Sequence, residues 1–101
     1  MSGTRRILVV DDDDDLRQSL AEQLRLYDEF EVIEEAIAGS GVRRAKQEQI
    51  DLVLLDVGLP DMDGREACKL LRKNGFPCPI IMLTAQDSDS DTILGLESGA
   101  N

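Results

Sequence analysis

Three aspartates and one threonine in this chain stand where they can do chemistry together, because each closes a short apolar run. Asp11 and Asp12 follow Ile7-Leu8-Val9-Val10, Asp56 follows Leu52-Val53-Leu54-Leu55, and Thr84 follows Ile80-Ile81-Met82-Leu83. None of these runs alternates polar with apolar residues, so each reads as a strand covered on both faces. In an open parallel sheet, ligands bind beyond the carboxyl ends of the strands, where the strand order reverses. Three strands would therefore deliver two or three carboxylates and a hydroxyl to one edge. Carboxylates held together raise each other's pKa unless a cation offsets their repulsion. The hard, oxygen-seeking ion that suits such a cluster is Mg²⁺, and Mn²⁺ would also fit. A carboxylate beside that ion can act as a nucleophile toward phosphorus, with the metal as Lewis acid and template.

The rest of the chain supplies the elements that would position these groups. Residues 30–36 (FEVIEEA) are mixed in polarity and read as an edge strand. Leu16, Leu20 and Leu24, widened by Ala21, form a helical stripe; Val42 and Ala45 mark a weaker helix over residues 40–49. Ala67, Leu70 and Leu71 mark a third helix, and Ile93, Leu94 and Leu96 predict a fourth. Asp63-Gly64-Arg65-Glu66 has the spacing of a capping box and starts the third helix. Pro60 and the stretch Asn74-Gly75-Phe76-Pro77-Cys78-Pro79 punctuate loops. The order β-α-β-α-β-α-β-α implies right-handed crossovers and a doubly wound α/β domain with a parallel sheet.

Composition narrows the function. The chain has 101 residues, 21 Asp+Glu against 11 Lys+Arg, and a formal charge of −10, so one domain fits and a second does not. Gripping a phosphate backbone needs clustered Lys and Arg, so direct binding of nucleic acid is not expected. Aromatics are only 3% and Trp is absent, which removes base-stacking platforms as well. A cation or a basic protein surface is the better partner. Cys68 and Cys78, with no histidine in the chain, support neither a disulfide framework nor zinc, and read as reduced thiols. No apolar stretch approaches the roughly 18 residues of a membrane span and no signal peptide is visible, so a cytoplasmic protein is expected.

The motifs Leu8-Val9-Val10-Asp11-Asp12, Glu35-Ala36-x-x-Gly39, Asp51-Leu52-Val53-Leu54-Leu55-Asp56, Leu59-Pro60-Asp61-Met62-Asp63-Gly64, Ile81-Met82-Leu83-Thr84-Ala85 and Gly99-Ala100-Asn101 occur in order along the chain. Together they resemble the receiver domain of two-component response regulators, most closely those of the winged-helix transcription-factor class. The resemblance implies a flavodoxin-like fold with strand order 2-1-3-4-5. It implies that Asp56 accepts a phosphoryl group from a sensor histidine kinase, with at most slow self-phosphorylation and self-dephosphorylation rather than enzymatic turnover. It places Mg²⁺ on Asp12 directly, on Asp11 mainly through water, on Asp56, and on the main-chain carbonyl of Gly58. Thr84 would hydrogen-bond the phosphoryl oxygens and swing inward, helped by the Ala85 amide. A receiver continues after Gly99-Ala100-Asn101 through a fifth strand ending in Lys-Pro and a fifth helix, so residues 1–101 are expected to be a C-terminally truncated receiver whose DNA-binding output domain is missing. Truncation would leave the strand at residues 80–83 as an open edge. It would also leave a face beside Leu16, Leu20 and Leu24 uncovered, which predicts a non-standard or domain-swapped homodimer.

Blander readings apply to several of these residues. Asp13, Asp14 and Asp15 are read as caps and dipole partners of the first helix rather than ligands. Asp63 is read as a cap and Asp61 as solvated. Asp87-Ser88-Asp89-Ser90-Asp91 starts like a calcium loop but has Thr92 where Gly is needed and Ser98 where Glu is needed. It reads instead as the acidic first turn of the fourth helix. The loop around Asp61-Met62-Asp63-Gly64 fails likewise, with Leu59 and Leu70 at the acidic positions. A hydrolase using an aspartyl nucleophile is disfavoured because a second Asp would be expected where Gly58 stands. The alternative to a phosphoryl-accepting switch is a receiver-like interaction module that works without phosphate.

Overall fold

A computed structural model describes residues 4–83 and a strand at Ile93–Leu96. Strand β1 (Arg5–Val10) is an interior strand, flanked by β2 (Phe30–Glu35) and β3 (Leu52–Asp56), with β4 (Ile80–Leu83) beyond β3. These four strands run parallel in the order β2-β1-β3-β4, with Val10 opposite both Glu35 and Leu55, and Asp56 opposite Leu83. That register brings the carboxyl ends of β1 and β3 to one edge. β2, the strand with the mixed sequence, is at the side of the sheet as its polarity requires.

Helices α1 (Asp14–Arg25), α2 (Ala38–Gln47) and α3 (Gly64–Lys73) connect the strands. Alternation along each strand divides the core in two. Leu8, Val10, Val53, Leu55, Ile80 and Met82 face α2 and α3, where Val42, Ala67, Cys68 and Leu71 meet them. Ile7, Val9 and Val32 face α1 and pack on Ala21, Leu20 and Leu24. Burying each large apolar side chain of this kind is worth about 1.5–3 kcal/mol. Leu52, Leu54, Ile81 and Leu83 are only half-buried, so β3 and β4 are covered fully on one face and partly on the other. Leu16, the first residue of the expected stripe, is 40% exposed and lies outside the core. Cys68 is buried and Cys78 half-buried, and the two are not bonded to each other.

The helix ends follow their local chemistry. Asp13 caps α1, accepting at Oδ1 from the Leu16 amide at 3.1 Å, and Asp14 and Asp15 occupy the positive first turn. Asp63 caps α3 through the Arg65 amide at 2.7 Å, two residues on rather than the three of a capping box.

Two expectations need correction. Ile93, Leu94 and Leu96 do not form a helix: Ile93–Leu96 is β5, antiparallel to β4, with Ile81 opposite Leu96 and Met82 opposite Gly95. A four-residue apolar run is too short for periodicity to separate helix from strand. Gly95 in its middle disfavours a helix, whereas the outer edge of β4 offers unpaired amides and carbonyls. That pairing also means β4 is not an open edge, which removes the edge argument for a non-standard or domain-swapped dimer. The acidic segment 87–91 lies outside the described residues, as do Thr84, Ala85 and residues 97–101.

Candidate metal centre

Asp11 is the residue at which β1 gives way to the turn before α1. Its amide donates to the Glu35 carbonyl at 3.1 Å, continuing the β1–β2 ladder by one residue. Only 2% of it is exposed. Oδ1 accepts from the Asp13 amide at 2.9 Å, while Oδ2 is buried and meets no hydrogen-bond donor among the described residues. Burial raises the Asp11 pKa; the Asp13 amide opposes that rise, and the charges of Asp12 and Asp13 add to it. An orphaned carboxylate oxygen in such a place costs free energy unless something positive meets it.

Asp56 ends β3 one strand away and is 8% exposed. Its pKa is pushed from 3.8 to about 6, first by burial and then by the charge of Asp11, with the Gly58 amide pulling the other way. Asp12, exposed on the turn, completes the group: Asp11, Asp12 and Asp56 each offer a carboxylate oxygen, all within 4.8 Å of one another. Three hard oxygen donors at that separation, one of them unpartnered and two of them reluctant to ionise, form the donor set that suits a small divalent cation.

The loop after Asp56 is held close. The Gly64 amide donates to the Val57 carbonyl at 2.8 Å, so the start of α3 packs directly on the phosphoacceptor candidate's backbone. A Cβ at position 64 would run into the Asp56 carbonyl oxygen and come within 2.8 Å of Val57 Cα, so glycine is required by close approach. Gly58 is exposed, with open space around it. Of the residues singled out in the sequence, Asp11, Asp12 and Asp56 are brought together, and Gly58 follows two positions after Asp56. Asp13 serves as a cap and Asp14 pairs with Arg17 at 2.8 Å. β4 ends at Leu83 beside Asp56, and Thr84 and Ala85 lie outside the described residues.

Two neighbours escape a reading by sequence. Arg17, with its side chain 12% exposed, donates from Nη1 to the Asp11 carbonyl at 2.9 Å and pairs with Glu34 at 3.2 Å, tying the end of β1 to α1 and β2. Its spacing from Asp14 (i, i+3) hints at the helix pair but not at the other two partners. Asp61 is not merely solvated: its two carboxylate oxygens accept from the Ala38 and Gly39 amides at the start of α2.

Four parallel strands that gather aspartates from β1 and β3 at their carboxyl edge, with no glycine-rich turn after β1, form a doubly wound α/β domain whose site is a carboxylate cluster rather than a nucleotide-binding loop. The chain belongs to the response regulator receiver domain family, which it matches over residues 7–101. It is 41% identical over 97 residues to the alkaline phosphatase synthesis transcriptional regulatory protein PhoP of Bacillus subtilis, covering 96% of this chain and 40% of that one. It is 44% identical over 100 residues to the DNA-binding response regulator MtrA of Mycobacterium tuberculosis, covering 96% and 42%. The chain thus spans about two fifths of the length of the curated relatives it matches. Among solved structures, a CheY-like receiver domain protein from Methanospirillum hungatei superposes with a TM-score of 0.77 at 35% identity, covering 85% of this chain and 68% of that one. The regulator TrrA of Thermotoga maritima, in complex with Mg²⁺ and beryllium fluoride, superposes with a TM-score of 0.77 at 32% identity, covering 83% and 72%. No helix among the described residues is long and apolar enough to cross a membrane.

Proposed function

We propose that this receiver is a phosphoryl-accepting switch in which Asp56 is the phosphoacceptor and a sensor histidine kinase the donor. The observation that carries the reading is the convergence of Asp11, Asp12 and Asp56 at one sheet edge, with Asp11 Oδ2 buried and unpartnered. Asp11, Asp12, Asp56 and the Gly58 carbonyl would hold Mg²⁺ or Mn²⁺, which supplies charge neutralisation for the carboxylates and for phosphoryl oxygens. Asp56 is then free to stay ionised and present an oxygen to phosphorus. As the new O–P bond forms, the P–N bond to the donor histidine breaks and its nitrogen keeps the electron pair. Arg17 fixes the Asp11 backbone, and the Gly64–Val57 contact braces the chain just after Asp56, so both carboxylates stand on braced backbone. Thr84 and the Ala85 amide are assigned to the phosphoryl oxygens by family resemblance. Turnover is confined to slow self-phosphorylation and self-dephosphorylation.

The likeness to PhoP, a transcriptional regulatory protein, and to MtrA, a DNA-binding response regulator, supports an output in transcription, exerted by a DNA-binding domain outside this chain in the cytoplasm of a bacterium. The net charge of −10 supports no direct contact of this segment with DNA. The test is treatment of the chain and its Asp56→Asn variant with acetyl phosphate and Mg²⁺, followed by peptide mass spectrometry. Modification is expected on Asp56 alone and should disappear in the variant. A label on another aspartate, or an Asn variant labelled like the parent, would overturn the assignment to Asp56, and an unmodified parent chain that still binds a kinase would favour the phosphate-independent interaction module.

A further inference from the structure

Helix α2 begins without a cap of its own. Ile37 holds the N-cap position in extended backbone (φ −132°, ψ 157°), its side chain accepts nothing, and the first turn carries no acidic residue. The first amides of a helix have no partner within it and need one from elsewhere. Here they find it more than twenty residues away. Asp61 Oδ1 accepts from the Ala38 amide and Oδ2 from the Gly39 amide, each at 2.8 Å. Those two bonds hold the Asp61 carboxyl below its usual range. A Cβ at position 39 would lie 3.3 Å from Asp61 Oδ2, so the glycine keeps room for the carboxylate. The cap is therefore bidentate and comes from the loop between β3 and α3.

That loop is the one that carries Gly58. It is fastened at its ends by the Gly64–Val57 hydrogen bond and by the Asp63 cap on α3, and Leu59 is buried within it. Asp61 adds a fastening in the middle, to a helix whose Val42 is seated in the core shared with β1 and β3. We propose that Asp61 is a positioning residue: by gripping the start of α2, it holds residues 57–62 in the shape that offers the Gly58 carbonyl to a cation beside Asp56. This rests on the metal-dependent reading above and deepens it. Linkage makes the connection reciprocal, so a cation that orders the loop also tightens the α2 cap.

The experiment separates capping from positioning. Ile37 is 43% exposed, so Ile37→Asp installs a local N-cap on α2 without disturbing the core. Mg²⁺ affinity by calorimetry and thermal midpoints in EDTA are compared for the parent chain, Asp61→Ala, and Asp61→Ala combined with Ile37→Asp. Asp61→Ala should lower the midpoint and weaken Mg²⁺ binding by about tenfold, the lower end for loss of a group that orients a ligand. The double variant should recover the midpoint and keep the weakened affinity. In the parent chain, Mg²⁺ should also slow hydrogen exchange at the Ala38 and Gly39 amides. Recovery of Mg²⁺ affinity in the double variant, or unchanged affinity in Asp61→Ala, would overturn the proposal and leave Asp61 a simple cap. A parent chain that does not bind Mg²⁺, or binds it equally well as Asp56→Asn, would instead bring down the metal-site reading itself and this proposal with it.

Discussion

Replacing Asp56 by asparagine should stabilise the metal-free protein, and by an amount that depends on pH. The carboxyl is 8% exposed and its pKa is raised from 3.8 to about 6, by burial first and by Asp11 second. The folded chain therefore prefers the protonated form. Below pH 3.8 folded and unfolded chains both carry the proton, and the site costs nothing. Between that value and about 6 the unfolded chain loses its proton while the folded chain keeps it, so stability falls as pH rises. Above it both are ionised and the whole penalty stands. A rise of about two pH units, at ~1.4 kcal/mol each, sets that penalty at roughly 3 kcal/mol, an upper figure because the site can relax and admit water. Asp56→Asn keeps the side-chain shape and deletes the charge. In EDTA at about pH 7.5 it should gain about 2–3 kcal/mol, on the order of 10 °C in midpoint for a domain of this size. At about pH 4 the gain should shrink close to zero. Mg²⁺ should raise the midpoint of the parent chain and leave the variant unmoved. Urea and thermal unfolding followed by circular dichroism across this range measure all three. A gain of equal size at both pH values, or a loss at the higher one, would refute the reasoning.

Gly64→Ala should cost about 1–3 kcal/mol or more, because its Cβ would meet backbone at Asp56 and Val57 that has no side-chain freedom to yield; an unchanged urea midpoint would contradict that close approach. Arg17→Met should cost about 1.5–3 kcal/mol, since it removes charged hydrogen bonds to the Asp11 carbonyl and Glu34. A double-mutant cycle with Glu34→Gln should show coupling of at least about 0.5 kcal/mol, and simple additivity would take Arg17 out of that network.

The parts of the fold legible in the sequence are those written in short stretches. The apolar runs of β1, β3 and β4 carry their own boundaries, and the aspartates that follow the first two sit at strand ends because polar residues stop a buried run. Asp13 and Asp63 are readable as caps because a cap acts within three residues of itself. What the sequence hides acts at a distance. Asp61 contacts amides 22 and 23 residues away, and nothing in its own neighbourhood distinguishes it from a solvated loop residue. Arg17 is equally silent about Asp11 and Glu34, which become its neighbours only when β1 and β2 pair. The fourth helix fails for a different reason. Ile93-Leu94-Gly95-Leu96 is apolar without period, and a partner strand decided what four residues could not. Thr84 is read at the same edge because it closes the apolar run of β4, while its phosphoryl role, and Ala85 altogether, rest on resemblance.

The first strand in sequence is an interior strand in space, paired on both sides, and this bears on the order in which the molecule assembles. β1 meets β2 by closing about 25 residues, from Arg5 to Phe30, but meets β3 only by closing about 45, from Ile7 to Leu52. The longer closure costs about 0.5 kcal/mol more in chain entropy, and contacts of that span are the ones that slow folding. β1, α1 and β2 can therefore come together as a local unit in which Asp56 takes no part. Its carboxylate joins Asp11 and Asp12 only in the step that docks β3. The repulsion among the three therefore arises only at that longer closure, where carboxylates without a cation oppose the docking of β3.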